Sequence, residues 1–113
     1  MNIQIFGTKK CFDTKKAERY FKERKIKFQF IDLNEKGLSK RELESVRIAV
    51  GGVKELINEK SKVYESSNIK RIMNNSVKEE ILLKNPLLLK TPIVRNGKQA
   101  TVGYKPEVWQ EWE

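Results

Sequence analysis

The first apolar stretch, Ile3-Gln4-Ile5-Phe6, is short and strand-like, and Gly7-Thr8-Lys9-Lys10 follows it. From Thr14 to Arg24 the pattern changes. Ala17, Tyr20, Phe21 and Arg24 recur at helical spacing among Lys, Glu and Arg, which predicts a helix. A second strand is predicted over Lys27-Phe28-Gln29-Phe30-Ile31, ending at Asp32-Leu33. Gly37-Leu38 leads into Ser39-Lys40-Arg41-Glu42, a capping box in which the serine and glutamate satisfy each other's free backbone N–H groups. The helix it opens carries Leu43, Val46 and Val50 on one face and stops at Gly51-Gly52. Lys54 to Asn68 is polar and irregular, with room for one or two helical turns. Ser76-Val77-Lys78-Glu79 reads as a second capping box, opening a short helix through Ile81, Leu82 and Leu83 that ends before Asn85-Pro86.

The last third changes character. Pro92-Ile93-Val94-Arg95 reads as a strand, Asn96-Gly97 as a two-residue hairpin signal, and Lys98 to Val102 as the partner strand. Gly103 breaks the pattern, and Pro106 suits the first turn of a terminal helix carrying Val108, Trp109 and Trp112. The two tryptophans are expected to pack that helix on the sheet. The order is βαβ, a helical stretch, then ββα, with no internal repeat.

Composition narrows the chemistry. The 113 residues suit one domain with a single core. No apolar run approaches the ~18 residues a membrane span needs. Met-Asn runs directly into a strand pattern, so no secretion signal is expected. Histidine is absent, which removes His-based metal sites and Ser-His or Cys-His catalysis. Cys11 is the only cysteine, so there is no internal disulfide, and a reducing cytoplasm is expected. The net charge of +9 leans towards the half holding Cys11: residues 1–36 carry ten bases against five acids. Anionic ligands or acidic protein surfaces fit that balance, but no zinc motif, basic tail or arginine-rich run points to nucleic acid.

Cys11 sits where the first strand hands over to the first helix. A thiol there meets the unpaired N–H groups and partial positive charge of a helix start, both of which favour the reactive thiolate. Lys9, Lys10, Lys15 and Lys16 crowd the turn against one acid, Asp13. A buried cysteine acting as a small hydrophobe is the alternative.

Four segments together resemble the arsenate-reductase-related family of the thioredoxin-like superfamily, which also contains the Spx regulators. They are Ile3–Arg24 with Cys11-Phe12-Asp13-Thr14; Phe28–Leu33 with the capped helix after it; Leu56–Tyr64; and Lys90-Thr91-Pro92-Ile93-Val94 followed by Val102-Gly103-Tyr104-Lys105-Pro106-Glu107. The resemblance implies one α/β thioredoxin-like domain over residues 1–113. It would hold a four-stranded mixed sheet and a helical insertion over about residues 38–88. It also implies a nucleophilic Cys11, and a Pro92 that follows a cis peptide bond beside the sulfur, making Thr91 and Pro92 candidate binding residues.

Departures from the family pattern shape the expected function. Arsenate reductases of this type hold the oxyanion with three arginines, and the corresponding positions are Asn58, Thr91 and Tyr104, none of which supplies a charged fork of donors. Arsenate reduction is therefore not expected. The Spx regulators commonly switch through two cysteines three apart, and the second position here is Thr14. The expected chemistry is monothiol exchange by Cys11 on a small thiol or mixed disulfide, with glutathione or another low-molecular-weight thiol as co-substrate and no bound cofactor or metal. Thr14 is a candidate hydroxyl donor to the thiolate or a plain N-cap. Lys10 and Lys15 are candidates to lower the cysteine pKa and to meet the carboxylates of such a thiol. The alternative is a regulator that binds the α-subunit of RNA polymerase. A monomer is the default expectation.

Overall fold

The computed structural model describes residues 1–113. Its elements are β1 (Ile3–Gly7), α1 (Phe12–Glu23), β2 (Phe28–Asp32), α2 (Lys40–Val50), α3 (Asn75–Lys84), β3 (Ile93–Asn96), β4 (Gln99–Val102) and α4 (Pro106–Trp112). Three 3-10 turns, at Val53–Leu56, Ile69–Arg71 and Pro86–Leu88, join the helices between β2 and β3, where all regular structure is helical.

The strands form one mixed sheet in the order β2-β1-β3-β4, parallel between β1 and β2 and antiparallel elsewhere. Successive strand side chains point to opposite faces, so one short strand can serve two cores. Ile3, Ile5 and Val94 pack with Ala17, Tyr20 and Phe21 of α1 and Trp109 of α4. Phe6 and Ile93 face the other way, into a larger cluster with Leu43 and Val46 of α2, Val53, Leu56, Leu82, Leu88 and Leu89. Covering both faces explains why β1 is apolar at four of its five positions and does not alternate with polar residues.

Local signals account for most boundaries. Ser39 Oγ accepts the Glu42 N–H at 3.1 Å, and Glu42 returns a carboxylate oxygen to the Ser39 N–H at 2.8 Å, so the first capping box forms as read. The helix ends at Gly51, whose φ of +93° is costly for any residue with a side chain. Three boundaries differ from the sequence expectation. The first helix starts at Phe12 rather than Thr14, because extended Cys11 takes the N-cap place and its carbonyl accepts the Lys15 N–H. The expected capping box at Ser76 does not form. Asn74 caps instead, its side-chain oxygen accepting the Val77 N–H at 3.2 Å, which draws the helix start back to Asn75. The hairpin turn is Gly97-Lys98 rather than Asn96-Gly97, since Asn96 stays in the ladder opposite Gln99 and Gly97 alone takes a positive φ, +61°.

Trp109 anchors α4. It is fully buried, meets Tyr20 edge-on at 5.2 Å between centroids, and donates its indole N–H to Thr101 Oγ1 on β4 at 2.8 Å. Trp112 is half-buried against the same cluster. A buried donor that loses its acceptor costs about 1–3 kcal/mol. Thr101→Val is therefore expected to lower the unfolding free energy in a denaturant titration by that amount. Adding Trp109→Phe should cost less than the two changes summed, because the orphaned N–H is removed.

Candidate active site

Cys11 lies at the N-cap of α1, half-buried, directly after the turn that leaves β1. Two segments distant in sequence meet at its sulfur. Thr91 Oγ1 donates to Cys11 Sγ at 3.1 Å, and the Thr91 carbonyl stands 3.8 Å from the same sulfur. Thr91 precedes buried Pro92 through a cis peptide bond, in agreement with the resemblance. Main-chain bonds hold this segment. Lys90 N–H donates to the Leu56 carbonyl and Asn58 N–H to the Leu88 carbonyl, each at 2.8 Å, while Ile57 and Leu89 form an antiparallel bridge.

Thr14 is the third residue of α1, and its side chain is completely buried. Its hydroxyl has no partner within ordinary hydrogen-bonding distance, yet it lies near enough to the sulfur to favour the thiolate. Gly7 explains the fit. A Cβ at Gly7 would stand 2.4 Å from Thr14 Oγ1, so the end of β1 accepts the threonine only because residue 7 has no side chain.

Partial burial pushes the Cys11 pKa up, but the hydroxyls of Thr14 and Thr91 and the N–H groups of Thr14 and Asp13 outweigh it and hold the thiol below its ordinary range. No ammonium group is among these causes. Lys10 and Lys15 are exposed, and Lys15 Nζ lies 5.7 Å from the Phe12 ring centroid. The expected lysine effect is thus taken over by uncharged donors, which point at the sulfur while the lysines extend into solvent.

An open cleft of about 1090 Å³ runs from Cys11 and Thr91 along β4 to the start of α4. Its charged rim holds Lys54, Lys60, Lys90 and Lys105 with Glu55, Glu59 and Glu107, and neither Lys10 nor Lys15 lines it. Of the three positions that correspond to family arginines, Asn58 and Thr91 line the cleft. The Asn58 side chain is engaged locally, accepting the Lys60 N–H at 3.0 Å. Tyr104 turns to the opposite side, edge-on to Trp109 at 5.5 Å with Lys16 Nζ 5.8 Å from its centroid. Arg95 does not compensate, because its guanidinium donates to Gln4 Oε1 at 2.7 Å within the sheet. Sequence reading missed Gly7 and the rim lysines. The glycine closing an apolar strand was the available signal for the first; the lysines lie in irregular segments with no periodicity to place them.

A four-stranded mixed sheet between helical layers, with a cysteine at the N-cap position of the first helix beside a cis-proline segment, is a thioredoxin-like fold. The ArsC family model matches residues 6–112, and the chain belongs to that family. It is 27% identical to global transcriptional regulator Spx 2 of Oceanobacillus iheyensis, covering 100% of this chain and 94% of that protein. It is 26% identical to the uncharacterized protein YusI of Bacillus subtilis, covering 98% of each. The solved arsenate reductase from Vibrio cholerae superposes with a TM-score of 0.85 at 24% identity, over 98% of this chain and 97% of that one.

Iodoacetamide alkylation followed against pH should give a midpoint below that of the same thiol in the unfolded chain. Thr91→Val and Thr14→Val should each move it upward. Thr14→Val should also raise stability below the midpoint, where the buried hydroxyl has no partner, so reactivity and stability move in opposite directions. A thiol with a depressed native pKa adds stability at higher pH that is lost as pH falls through that pKa. The stability difference between the native chain and Cys11→Ser should therefore grow in favour of the native chain as pH rises towards the unfolded thiol pKa.

Proposed function

We propose that this chain is a thiol-dependent oxidoreductase of single-cysteine type, with Cys11 as nucleophile and glutathione or a similar small thiol as co-substrate. The observation that carries the reading is the 3.1 Å hydrogen bond from the Thr91 hydroxyl to the Cys11 sulfur, made between two residues that line an open cleft. The Cys11 thiolate attacks one sulfur of a mixed disulfide; that S–S bond breaks, a new one forms to Cys11, and the departing thiolate takes a proton from solvent. A second thiol then attacks the adduct, forms the product disulfide and releases Cys11 as thiolate. The electrons come from that external thiol, since the sequence has one cysteine and none to resolve the adduct internally. Thr91 and Thr14 stabilise the anion at the start and end of the cycle, and Pro92 fixes the Thr91 segment beside it. Lys54, Lys60, Lys90 and Lys105 take the place expected of Lys10 and Lys15 as partners for substrate carboxylates. The reading does not extend to arsenate, because no arginine lines the cleft.

The relatives favour a second reading. The Oceanobacillus iheyensis protein is named as a global transcriptional regulator and aligns over the whole chain, so binding to the α-subunit of RNA polymerase is the alternative. Loss of the second switch cysteine at Thr14 would leave such a regulator without an internal disulfide.

Purified protein should reduce a glutathione mixed disulfide when glutathione is supplied, and Cys11→Ser should abolish turnover. Thr91→Val should slow exchange most below the shifted midpoint. Titration against the isolated carboxy-terminal domain of the polymerase α-subunit separates the readings: saturable binding without turnover supports the regulator and overturns the enzyme.

A further inference from the structure

The cleft has a backbone floor. Ala100, Thr101, Val102 and Gly103 line it in succession, and β4 is the edge strand of the sheet. The Gly103 N–H donates to the Pro92 carbonyl at 2.8 Å, and β4 pairs with β3 in antiparallel register, Val94 opposite Thr101. Antiparallel pairs alternate between hydrogen-bonded and free, so Gln99, Thr101 and Gly103 turn their backbone groups to β3, and Ala100 and Val102 turn theirs outward. None of those outward groups takes a partner elsewhere in the chain. The edge thus presents N–H and C=O of two alternate residues in a row, the pattern that receives an added strand.

This row and the sulfur line the same cleft. Gly103, at the end of β4, is bonded to Pro92, and the adjoining Thr91 bonds Cys11. At about 1090 Å³ the cleft lies just above the roughly 300–1,000 Å³ common for small-molecule sites, more room than a small thiol needs. Its rim mixes four lysines with three glutamates, so that beyond lysine contacts to the glutathione carboxylates, charge gives a peptide segment little preference and leaves main-chain pairing to hold it.

We propose that the cleft binds an extended segment of another polypeptide as a fifth strand on β4, paired to Ala100 and Val102, which brings a disulfide-bonded cysteine of that segment to Cys11. The proposal rests on the thiol-exchange reading for its chemistry, and it assigns the substrate class as a protein or peptide mixed disulfide. The exchange balances as written above: the peptide cysteine leaves as the thiol, glutathione passes to Cys11, and a second glutathione removes it as oxidised glutathione.

The test compares a blocked octapeptide, alternating Val and Thr around one central glutathionylated cysteine, with the small mixed disulfide of cysteine and glutathione. The peptide should be the better substrate. N-methylating it at the amides flanking the cysteine should lower kcat/KM by up to about tenfold, the size expected for a lost main-chain hydrogen bond, with no change for the small disulfide. Ala100→Pro removes one outward N–H from an edge position that tolerates proline, and should act in the same selective way. The N-methylated peptide keeps the test valid if that variant folds poorly. Binding is read separately by NMR, using the serine analogue of the peptide: the Ala100 and Val102 amides should shift and become protected from exchange. Turnover of the small disulfide with those two amides unmoved overturns strand addition and leaves the thiol reading standing. Protected amides without turnover of either disulfide overturn the thiol reading and leave strand addition standing.

Discussion

Cys11 and Thr91 meet because β1 and β3 are neighbours in the sheet. Phe6 is paired with Ile93, so the turn leaving β1 and the segment entering β3 emerge side by side at one end of the sheet. Everything chemical at that end follows from this register. The turn delivers a cysteine to the start of α1, where N–H groups have no helical partner. The segment delivers a hydroxyl to the sulfur at 3.1 Å. The bonds from Leu56 and Asn58 to Lys90 and Leu88 then tie the segment to the helical layer, which keeps Thr91 from moving away from the sulfur.

The donors at the sulfur are neutral. A cluster of ammonium groups around a thiol would be screened by salt and would pay side-chain entropy to stay in place. Backbone N–H groups and two short hydroxyls are already fixed by the helix and by packing, so they act with little left to order, Thr91 by direct contact at 3.1 Å and Thr14 from just beyond hydrogen-bonding distance. Thr14 illustrates the compromise. Its hydroxyl is buried without a partner, a cost tolerated beside a sulfur that becomes an anion. Gly7 makes room for it.

Much of this was legible in the chain. The strands, the first capping box, the glycine stop at Gly51 and the terminal helix announced themselves through period, cap and turn chemistry, which are local. Boundaries slipped where two local signals competed, as when Asn74 took the cap from Ser76 and Asn96 stayed in the strand ladder. The position of Cys11 at a helix start could be read directly, whereas the nearness of the Thr91-Pro92 segment came from family resemblance and the Thr91 hydroxyl bond from the structure alone, because no local pattern reports a contact between residues 80 apart. The lysines misled for a related reason. Sequence proximity places Lys10 and Lys15 near the sulfur, but a helix start turns such side chains outward, and the lysines that reach the cleft come from segments 43 to 94 positions further along the chain.

The long separation between sulfur and hydroxyl has a consequence for the life of the molecule. While the chain is still emerging from a ribosome, or whenever β3 detaches, Cys11 is an ordinary thiol with an ordinary, mostly protonated state at neutral pH. Only the completed sheet brings Thr91 to the sulfur and lowers its pKa. The lowered pKa is thus confined to properly assembled molecules, and an immature chain carries a less nucleophilic and less readily oxidised sulfur.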